Sequence, residues 1–420
     1  MPGSIAGDDP VVVVGGGVVG LCVAHYLAAA GVAVVVLERA AAGSGASWGN
    51  AGWVCRSHSA PIAAPGAAAY ALRSLGRPDS PLWVRPSLDP ALAGWALRFW
   101  RSSRRARFRR GYAALVELNR PTLDLFDGLR AAGVETTLRT PGLVHAFLSA
   151  GEARRHLSLQ RAMAGSAYEV PDDIAVGDDV AALDAALGPR VEAAYRVAGE
   201  GVVDPGRLVR SLAASVPVRE GVAVVGVRQS GGRVRAVRTS SGELPCSAVV
   251  VAAGTWSAGL LRSLGHRLPL QAAKGYSFSV RLSSAPSHPL YLGDRRVVAS
   301  PMNGAVRIAG TMELSGNNRR LDWRRLVAVA SASRHYLGDW YEHPDDLIGL
   351  IRDPWVGGRP LLPDSLPVID RLPGAANAFV ATGHGMLGVT LAPASGCALS
   401  EYMLSGRRPD VLEPFRFDRF

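Results

Sequence analysis

The sequence predicts an α/β protein with a mostly parallel sheet in its first domain and an α+β second domain with an antiparallel sheet. An apolar, valine-rich run enters a glycine-rich turn at residues 10–20, which is typical of a buried parallel strand followed by a helix. A similar order of strand, glycine turn and helix recurs at 247–265 and 378–404. Apolar and polar residues alternate in TLRTPGLVHAFLS, VEAAYRV and AVRIAGTMEL, which predicts the second sheet. A chain of 420 residues is long enough for two domains.

The first strand spans Pro10–Val14, and the pattern G-x-G-x-x-G follows it with Gly15, Gly17 and Gly20. In this pattern the first glycine permits a tight turn, the second admits a pyrophosphate close to the backbone, and the third lets the helix approach the strand. The helix that runs to Ala30 offers the free N–H groups of its first turn to phosphates.

A second apolar strand, Ala33–Leu37, ends at Glu38. At this position a carboxylate would accept hydrogen bonds from both ribose hydroxyls of an adenosine. The order of strand, glycines, helix, strand and acid within thirty residues predicts a dinucleotide site rather than a glycine-rich turn without a ligand. FAD and NAD both carry adenosine diphosphate, so this unit alone fits either.

Small and hydroxyl residues fill the next loop, AAGSGASWGNAG, and would let an extended ligand pass close to the chain. An ordinary flexible loop is the alternative interpretation. Farther on, Asp204 and Pro205 predict the N-cap and first residue of a helix. A last helix beginning near Leu387 would direct its N–H groups and positive dipole end at developing negative charge. No second G-x-G-x-x-G occurs, so one dinucleotide is expected.

The chain resembles the D-amino-acid oxidase-like flavoproteins, and within them the single-chain, small-subunit type D-amino-acid dehydrogenases. The resemblance rests on VVVVGGGVVG, GASWGNAG with SAPIAAPG, GVVDPGRL, VVVAAGTWS, KGYS, WVGGRPLLPDSLPVID and TGHGMLGVTLAPASG, in that order along the chain. It implies a Rossmann-like FAD-binding domain and a substrate domain whose antiparallel sheet caps the flavin. We expect the first domain at 1–90, 200–265 and 363–420, and the second at 91–199 and 266–362.

The resemblance and the glycine motif together predict the residues that contact FAD. No cysteine or histidine lies in a motif for covalent attachment, so non-covalent FAD is expected. The expected contacts are Gly15, Gly17, Val18, Val19, Gly20, Glu38, Arg39, Ser44, Ala46, Ser47, Asn50, Ala51, Gly52, Ala253, Gly254, Trp256, Gly358, Gly385, Met386, Leu387, Gly388, Val389 and Thr390.

Arg359, in VGGRPLLPD, is the expected clamp for the substrate carboxylate, because relatives use an arginine in G-x-R-P for this purpose and a guanidinium matches a carboxylate with two hydrogen bonds. If Arg359 is structural instead, Asp364 or Asp370 is its expected partner. His384 is a candidate acid or base, although hydride transfer from a neutral amine needs no strong base. The carbonyl of Met386 could accept a hydrogen bond from the substrate amine.

Lys274 is the only lysine in the chain, which suggests a required ammonium group on the substrate or oxygen side of the site, although chance is an equal explanation. Tyr276 and His58 are candidates for the pocket wall. Both would equally suit satisfied polar positions at a domain interface.

The predicted function is FAD-dependent oxidation of an amino acid or related amine, with D-amino acids favoured, to an imine that hydrolyses to a keto acid and ammonia. The resemblance implies hydride transfer to flavin N5, with oxygen or a quinone or other carrier as the electron acceptor. One alternative is an oxidase for a larger amine-bearing metabolite, in which residues 87–110 and 276–292 would border a wide opening. A non-catalytic flavin-binding scaffold is the other.

The net charge of +11 is the balance of 46 basic and 35 acidic residues, and only one of the basic residues is a lysine. Such skew is typical of codon bias, so no nucleic-acid partner is expected. One cluster, Arg98–Tyr112, carries seven arginines among aromatic residues. It is either the solvated face of a helix or a surface that docks on a membrane or an acidic electron-acceptor protein.

The four cysteines lie far apart without a CxxC pair, which predicts neither a zinc site nor disulfides, and no metal is expected. The N-terminus lacks a basic and then apolar leader pattern, and apolar runs are too short to span a bilayer. We therefore expect a cytoplasmic protein, with Arg98–Arg110 as the candidate contact with the inner face of the membrane.

Overall fold

The computed structural model describes residues 9–74, 80–165, 167–341 and 347–420. Its strands are β1 (Val11–Val14), β2 (Val34–Leu37), β3 (Trp53–Val54), β4 (Leu82–Val84), β5 (Leu143–Phe147), β6 (Ala175–Val176), β7 (Ala193–Val197), β8 (Gly201–Val202), β9 (Val218–Arg219), β10 (Val224–Ser230), β11 (Arg233–Thr239), β12 (Gly242–Pro245), β13 (Ala248–Val251), β14 (Gln271–Val280), β15 (Leu290–Leu292), β16 (Val297–Met302), β17 (Ala305–Leu314), β18 (Arg352–Leu361), β19 (Val368–Arg371) and β20 (Ala378–Thr382). Its α-helices are α1 (Val18–Ala29), α2 (Ala67–Ser74), α3 (Pro90–Ser102), α4 (Arg105–Asn119), α5 (Thr122–Ala131), α6 (Ala150–Ala164), α7 (Asp178–Leu183), α8 (Pro205–Ala214), α9 (Ser257–Ser263), α10 (Trp323–Ser333), α11 (Gly338–Tyr341), α12 (Leu347–Leu350) and α13 (Gly388–Ser405).

The first sheet has six strands in the order β19-β20-β13-β1-β2-β9, and only the β19–β20 pair is antiparallel. Val11 and Val13 of β1 pack on a core that includes α1 and α13, while Val12 and Val14 pack on the opposite face toward β11 and α9. Both faces of the valine-rich strand are buried, as a parallel strand covered on both sides requires. The predicted parallel-rich α/β architecture is confirmed.

The second sheet runs in the order β18-β14-β17-β16-β15-β5-β7-β6, with β4 added beside β17. Most of its pairs are antiparallel; β15–β5 and β17–β4 are parallel. The three alternating segments of the sequence form β5, β7 and β17, so that prediction is confirmed. One face of this sheet packs against α10 in a separate core, and the other faces the first sheet across a cavity.

Some elements cross the expected domain limits, which otherwise stay a prediction. Strand β4 lies within 1–90 but pairs with β17 of the second sheet. Helices α4 and α5 lie within 91–199, yet their buried side chains Leu115, Leu118 and Phe126 pack in the core of the first sheet, against α13. Their buried side chains therefore place these two helices with the first sheet.

Helix α8 begins as predicted: Asp204 accepts hydrogen bonds from the N–H groups of Gly206 and Arg207, and Pro205 is the first helical residue. In the described ranges no helix is long and apolar enough to cross a membrane. Among these same residues no group of histidine, cysteine and acidic side chains could hold a metal ion.

Candidate active site

A cavity of about 1510 Å³ lies between the two sheets. Its wall is formed by the turn after β1, the loop at 43–51, the first turn of α13, and the facing strands of the second sheet. The carboxyl ends of β1 and β2 open into it, which is where open α/β sheets bind their ligands.

The glycine turn brings bare backbone to the cavity. A Cβ on Gly15 would lie 2.6 Å from the carbonyl oxygen of Ala252, and Gly15 has φ of +114°. A Cβ on Gly20 would lie 2.1 Å from the carbonyl oxygen of Gly15, so the helix can contact the strand only without a side chain there. Gly17 has no such neighbour closer than Ser47 Oγ at 3.5 Å. Each glycine therefore has the environment that the motif predicts.

Glu38 ends β2 at the edge of the cavity. Its Oε2 accepts a hydrogen bond from the N–H of Gly16 at 2.9 Å, and Oε1 accepts one from Ala40 at 3.0 Å. Each carboxylate oxygen retains a further lone pair. Beside it, the Arg39 guanidinium lies 3.9 Å from the ring centroid of Trp256, a cation–π contact that builds a flat wall. This arrangement suits the ribose and ring of an adenosine.

The N-terminus of α13 borders the other part of the cavity. Its N-cap residue, Leu387, makes no side-chain hydrogen bond to the first turn, so no side-chain cap occupies these N–H groups. Thr390 donates from Oγ1 to the carbonyl of Trp53 at 2.9 Å, which ties the helix to the neighbouring strand. The long helix suits an anionic group at this end.

Most of the expected FAD contacts border this cavity, and three do not. The three that do not are Gly20, Gly52 and Gly358. Gly20 lies behind the glycine turn. A Cβ on Gly52 would lie 2.1 Å from the carbonyl oxygen of Val203, and a Cβ on Gly358 would lie 3.1 Å from Thr255 Cγ2. These glycines allow close packing behind the wall. The residues that do border it are Gly15, Gly17, Val18, Val19, Glu38, Arg39, Ser44, Ala46, Ser47, Asn50, Ala51, Ala253, Gly254, Trp256, Gly385, Met386, Leu387, Gly388, Val389 and Thr390.

Arg359 presents a cation to the cavity from β18. Its Nη1 donates to the carbonyl oxygen of Thr311 at 2.8 Å. The two suggested acidic partners are taken, because Asp364 pairs with Arg419 at 2.7 Å and Asp370 with Arg408 at 2.6 Å. No ion pair joins Arg359 to an acid of the described residues. Burial lowers the pKa of Arg359 to about 10, so the group stays charged at neutral pH.

The far wall of the cavity includes aromatic side chains. Residues paired from strand to strand share a face of the sheet, and one such row is Tyr195, His145, Tyr291, Val298, Ala309, Ser277 and Trp355. Of this row, Tyr291, Val298, Ala309 and Trp355 border the cavity. His58, a predicted wall residue, borders the cavity and stacks on His145 with centroids 5.4 Å apart. Burial lowers the pKa of His58 to about 3, so this wall carries a neutral imidazole at neutral pH. Sequence spacing does not reveal this row, since it joins seven strands.

His384 lies in the turn before α13, at the cavity. Its Nε2 is 2.9 Å from Ser395 Oγ, and burial lowers its pKa to about 3. The next residue, Gly385, donates its N–H to the carbonyl of Pro360, which ties the turn to β18. The geometry gives His384 a hydrogen-bonding role within the turn, rather than a charge at neutral pH.

We expect His384→Gln to leave the pH dependence of kcat/KM unchanged between about pH 5 and 8, because the imidazole is neutral throughout that range. Glutamine keeps a polar group for Ser395. Steady-state rates across this range in both proteins provide the measurement. If a titration present in the parent disappears in the variant, His384 acts as an acid or base.

Lys274 and Tyr276 point away from Arg359. Ala273 pairs directly with Arg359 across β14 and β18, and side chains alternate along a strand, so residues 274 and 276 lie on the opposite face. Lys274 Nζ donates to Glu313 Oε1 at 2.8 Å, and Tyr276 Oη donates to Glu313 Oε2 at 2.6 Å. Lys274 is absent from the cavity wall, unlike the predicted substrate-side or oxygen-side ammonium. Tyr276 borders the cavity, but its side chain is fully buried.

The comparisons with known proteins agree with this geometry. Residues 10–402 match the DAO family, described as FAD dependent oxidoreductase. The chain belongs to this family. Curated relatives include the D-amino acid dehydrogenase of Xanthobacter autotrophicus, 33% identical over 96% of each chain, and that of Dechloromonas aromatica, 34% identical over 96% of this chain and 99% of the relative. FAD as cofactor and the resemblance stated from the motifs are thereby confirmed.

Solved structures share the fold. Glycine oxidase from Bacillus cereus superposes with a TM-score of 0.75 at 21% identity, covering 97% of this chain and 98% of that chain. L-proline dehydrogenase from P. horikoshii gives 0.72 at 18% identity, covering 100% and 99%. This DAO family member therefore has the same fold as these two enzymes.

Proposed function

We propose that this flavoprotein oxidises an amino acid, with D-amino acids favoured, to the imino acid, which water converts to a keto acid and ammonia. The observation that carries the proposal is Arg359, a cavity-facing cation on a rigid strand without a carboxylate partner in the described part of the chain. A guanidinium presents paired N–H donors that match a carboxylate. The names of the curated relatives support the same substrate class.

One set of residues would bind the cofactor, and another would bind the substrate. Glu38 and the glycine turn would hold the adenosine half of FAD, and the first turn of α13 would face its ring end. When bound, FAD supplies the redox chemistry by accepting a hydride from the carbon that bears the amine. Arg359 fixes the substrate carboxylate, which restricts the orientation of that carbon and lowers the entropic cost of reaching a reactive geometry. Met386, at the cavity, is proposed to accept a hydrogen bond from the amine through its carbonyl.

Anaerobic mixing of the FAD-loaded protein with a panel of D- and L-amino acids tests the proposal. Loss of the oxidised flavin absorbance with D-amino acids is the expected result. Loss with L-amino acids alone would reverse the proposed chirality. An unchanged spectrum with every amino acid and amine would contradict an enzymatic role and favour a flavin-binding scaffold.

The cavity wall also supports a second candidate, oxidation of a larger amine. Both segments expected to border a wide opening contribute to the wall: Trp95, Phe99 and Trp100 come from α3, and Tyr291 comes from β15. A panel that includes bulky arylalkyl amines separates the candidates. Faster flavin reduction by these amines than by any amino acid would favour the larger substrate.

We further propose that the arginine cluster contacts an anionic membrane surface, so that electrons can pass to a quinone or other carrier. All seven arginines of residues 98–110 are exposed, and none forms an ion pair with a described residue. Trp100 within this segment is 52% exposed, and Leu97, directly before it, is 47% exposed. Exposed apolar side chains among arginines are typical of helices that lie at a lipid interface.

We expect the FAD-loaded protein to float with vesicles rich in phosphatidylglycerol, but not with phosphatidylcholine vesicles, and to detach at high salt. Replacing Arg101 and Arg105 by glutamine is expected to weaken this binding by about 1 kcal/mol for each charge. Matched replacement of the exposed Arg235 and Arg238 removes the same charge elsewhere and is expected to weaken it less. Equal losses of vesicle binding in the two double replacements, or no vesicle binding by the parent, would contradict the proposed surface.

The electron acceptor is identified by comparing the rate of oxygen uptake with the rate of quinone reduction during turnover.

A further inference from the structure

A buried ion pair lies behind Arg359, on the opposite face of the same sheet. The side chains of Lys274 and Glu313 are 3% and 6% exposed. Besides Glu313, the Lys274 ammonium donates to Asn318 Oδ1 at 3.2 Å and to the carbonyl oxygen of Arg320 at 3.1 Å. The Tyr276 hydroxyl completes the group by donating to the second oxygen of Glu313. Every charged atom of the pair thus has a partner.

The pairing of β14 with β17 is irregular at the point that faces Arg359. Thr311 and Met312 of β17 stand opposite the single residue Gly275, which makes a β-bulge. Thr311 adopts φ of +62°, in the left-handed region that β-branched residues avoid. In this conformation its carbonyl oxygen receives the Arg359 N–H at 2.8 Å. The bulge therefore supplies the acceptor that orients the guanidinium.

The Arg359 guanidinium also packs against the backbone of Gly275. A Cβ at this position would lie 2.2 Å from Arg359 Nη2, so the guanidinium lies directly over the glycine. The two neighbours of Gly275 are Lys274 and Tyr276, and each is bonded to a different oxygen of Glu313. One carboxylate thus joins both sides of the bulge through two directional bonds.

We propose that Glu313, with Lys274 and Tyr276, positions the carboxylate clamp: it fixes the bulge, and thereby the Thr311 carbonyl and the Arg359 guanidinium. The inference rests on the proposed role of Arg359 toward the substrate carboxylate. A buried ion pair adds little to stability compared with apolar residues of similar volume. What the ion pair contributes instead is specificity of geometry, because its directional hydrogen bonds define one register for the strands. A strained bulge persists only when the surrounding structure fixes it.

Tyr276→Phe is the least disruptive test, because it removes one hydrogen bond and keeps the ring and the ion pair. In the FAD-loaded protein, binding of benzoate, a carboxylate without an amine, is followed through the flavin absorbance. We expect the Kd for benzoate and the KM for the preferred amino acid to rise about tenfold, since small misplacements of a positioned group cost about this much or more. We expect kcat and FAD content to change much less.

The double variant Lys274→Met/Glu313→Leu removes the whole ion pair without leaving a buried charge. We expect it to fold, to bind FAD, and to lose more benzoate affinity than Tyr276→Phe. This variant keeps the test decisive if the single substitution is compensated by a water molecule.

Tyr336→Phe is the matched control. Tyr336 is a buried tyrosine in the same core as Tyr276. Its hydroxyl donates to the carboxylate of Asp294 at 2.9 Å and not to the group around Glu313. We expect it to leave benzoate affinity unchanged. Two results would overturn this inference but not the clamp itself. One is an equal loss of benzoate affinity in Tyr276→Phe and Tyr336→Phe. The other is parent-like benzoate affinity in both Tyr276→Phe and Lys274→Met/Glu313→Leu, while Arg359→Ala no longer binds benzoate. Parent-like benzoate binding by Arg359→Ala would instead overturn the clamp on which it rests.

Discussion

Replacing Arg359 by alanine is expected to raise KM for an amino-acid substrate ~100-fold, because two charge-assisted hydrogen bonds to the substrate carboxylate are lost. FAD content should stay near that of the parent, since Glu38 and the glycine turn, the expected contacts of the adenosine half, follow β1 and β2 of the first sheet and do not lie on β18. Steady-state rates with the preferred amino acid, together with the ratio of flavin to protein absorbance, provide the two measurements.

Two further variants isolate the geometry of the clamp from its charge. Arg359→Lys keeps the positive charge but loses the planar pair of donors, so we expect a KM between those of the parent and the alanine variant. Arg352→Ala removes an exposed arginine from the same strand, and its KM should match the parent. A KM for Arg359→Ala equal to that of the parent would remove Arg359 from the substrate site.

Local sequence patterns predict the adenosine end of the site well, because neighbours in sequence build it. The strand, the glycine turn, α1 and Glu38 lie within thirty residues. Gly20 is required by its close approach to Gly15 in the same unit, and Gly15 by its approach to Ala252, directly after β13. The N-terminus of α13 is likewise predicted to within one residue of Leu387, since a glycine turn and an apolar helix pattern mark it. Identifying FAD rather than NAD required motifs from the rest of the chain.

The substrate end depends on strand register, which single-sequence patterns do not specify. The unusual Lys274 is visible in the composition, but its partner Glu313 lies 39 residues away on another strand. The residue with positive φ at the bulge is Thr311 and not its neighbour Gly310, so the sequence does not show which residue sets the acceptor for Arg359. Gly275 stands in the quoted KGYS motif, yet only the structure shows that the Arg359 guanidinium covers it.

Gly20→Ala is expected to abolish FAD binding. The new Cβ would lie 2.1 Å from the carbonyl oxygen of Gly15, and this is backbone that cannot rotate away. Helix α1 must therefore move off β1, and the first-turn N–H groups that we expect to face the phosphates move with it. Overpacking at such a buried contact also costs about 1–3 kcal/mol of the free energy of unfolding. Flavin absorbance of the purified variant and thermal unfolding measure the two effects.

Gly128→Ala is the matched control, because it makes the same chemical change within α5, where a Cβ meets no atom within 4 Å. In this helix interior alanine is favoured over glycine by about 1 kcal/mol, so the control should be as stable as the parent or more so, with full FAD content. The difference between the two variants then reports the close approach of α1 to the turn, and not the general effect of adding a methyl group. A Gly20→Ala protein with the flavin content of the parent would contradict the assignment of this turn as the site that receives the dinucleotide.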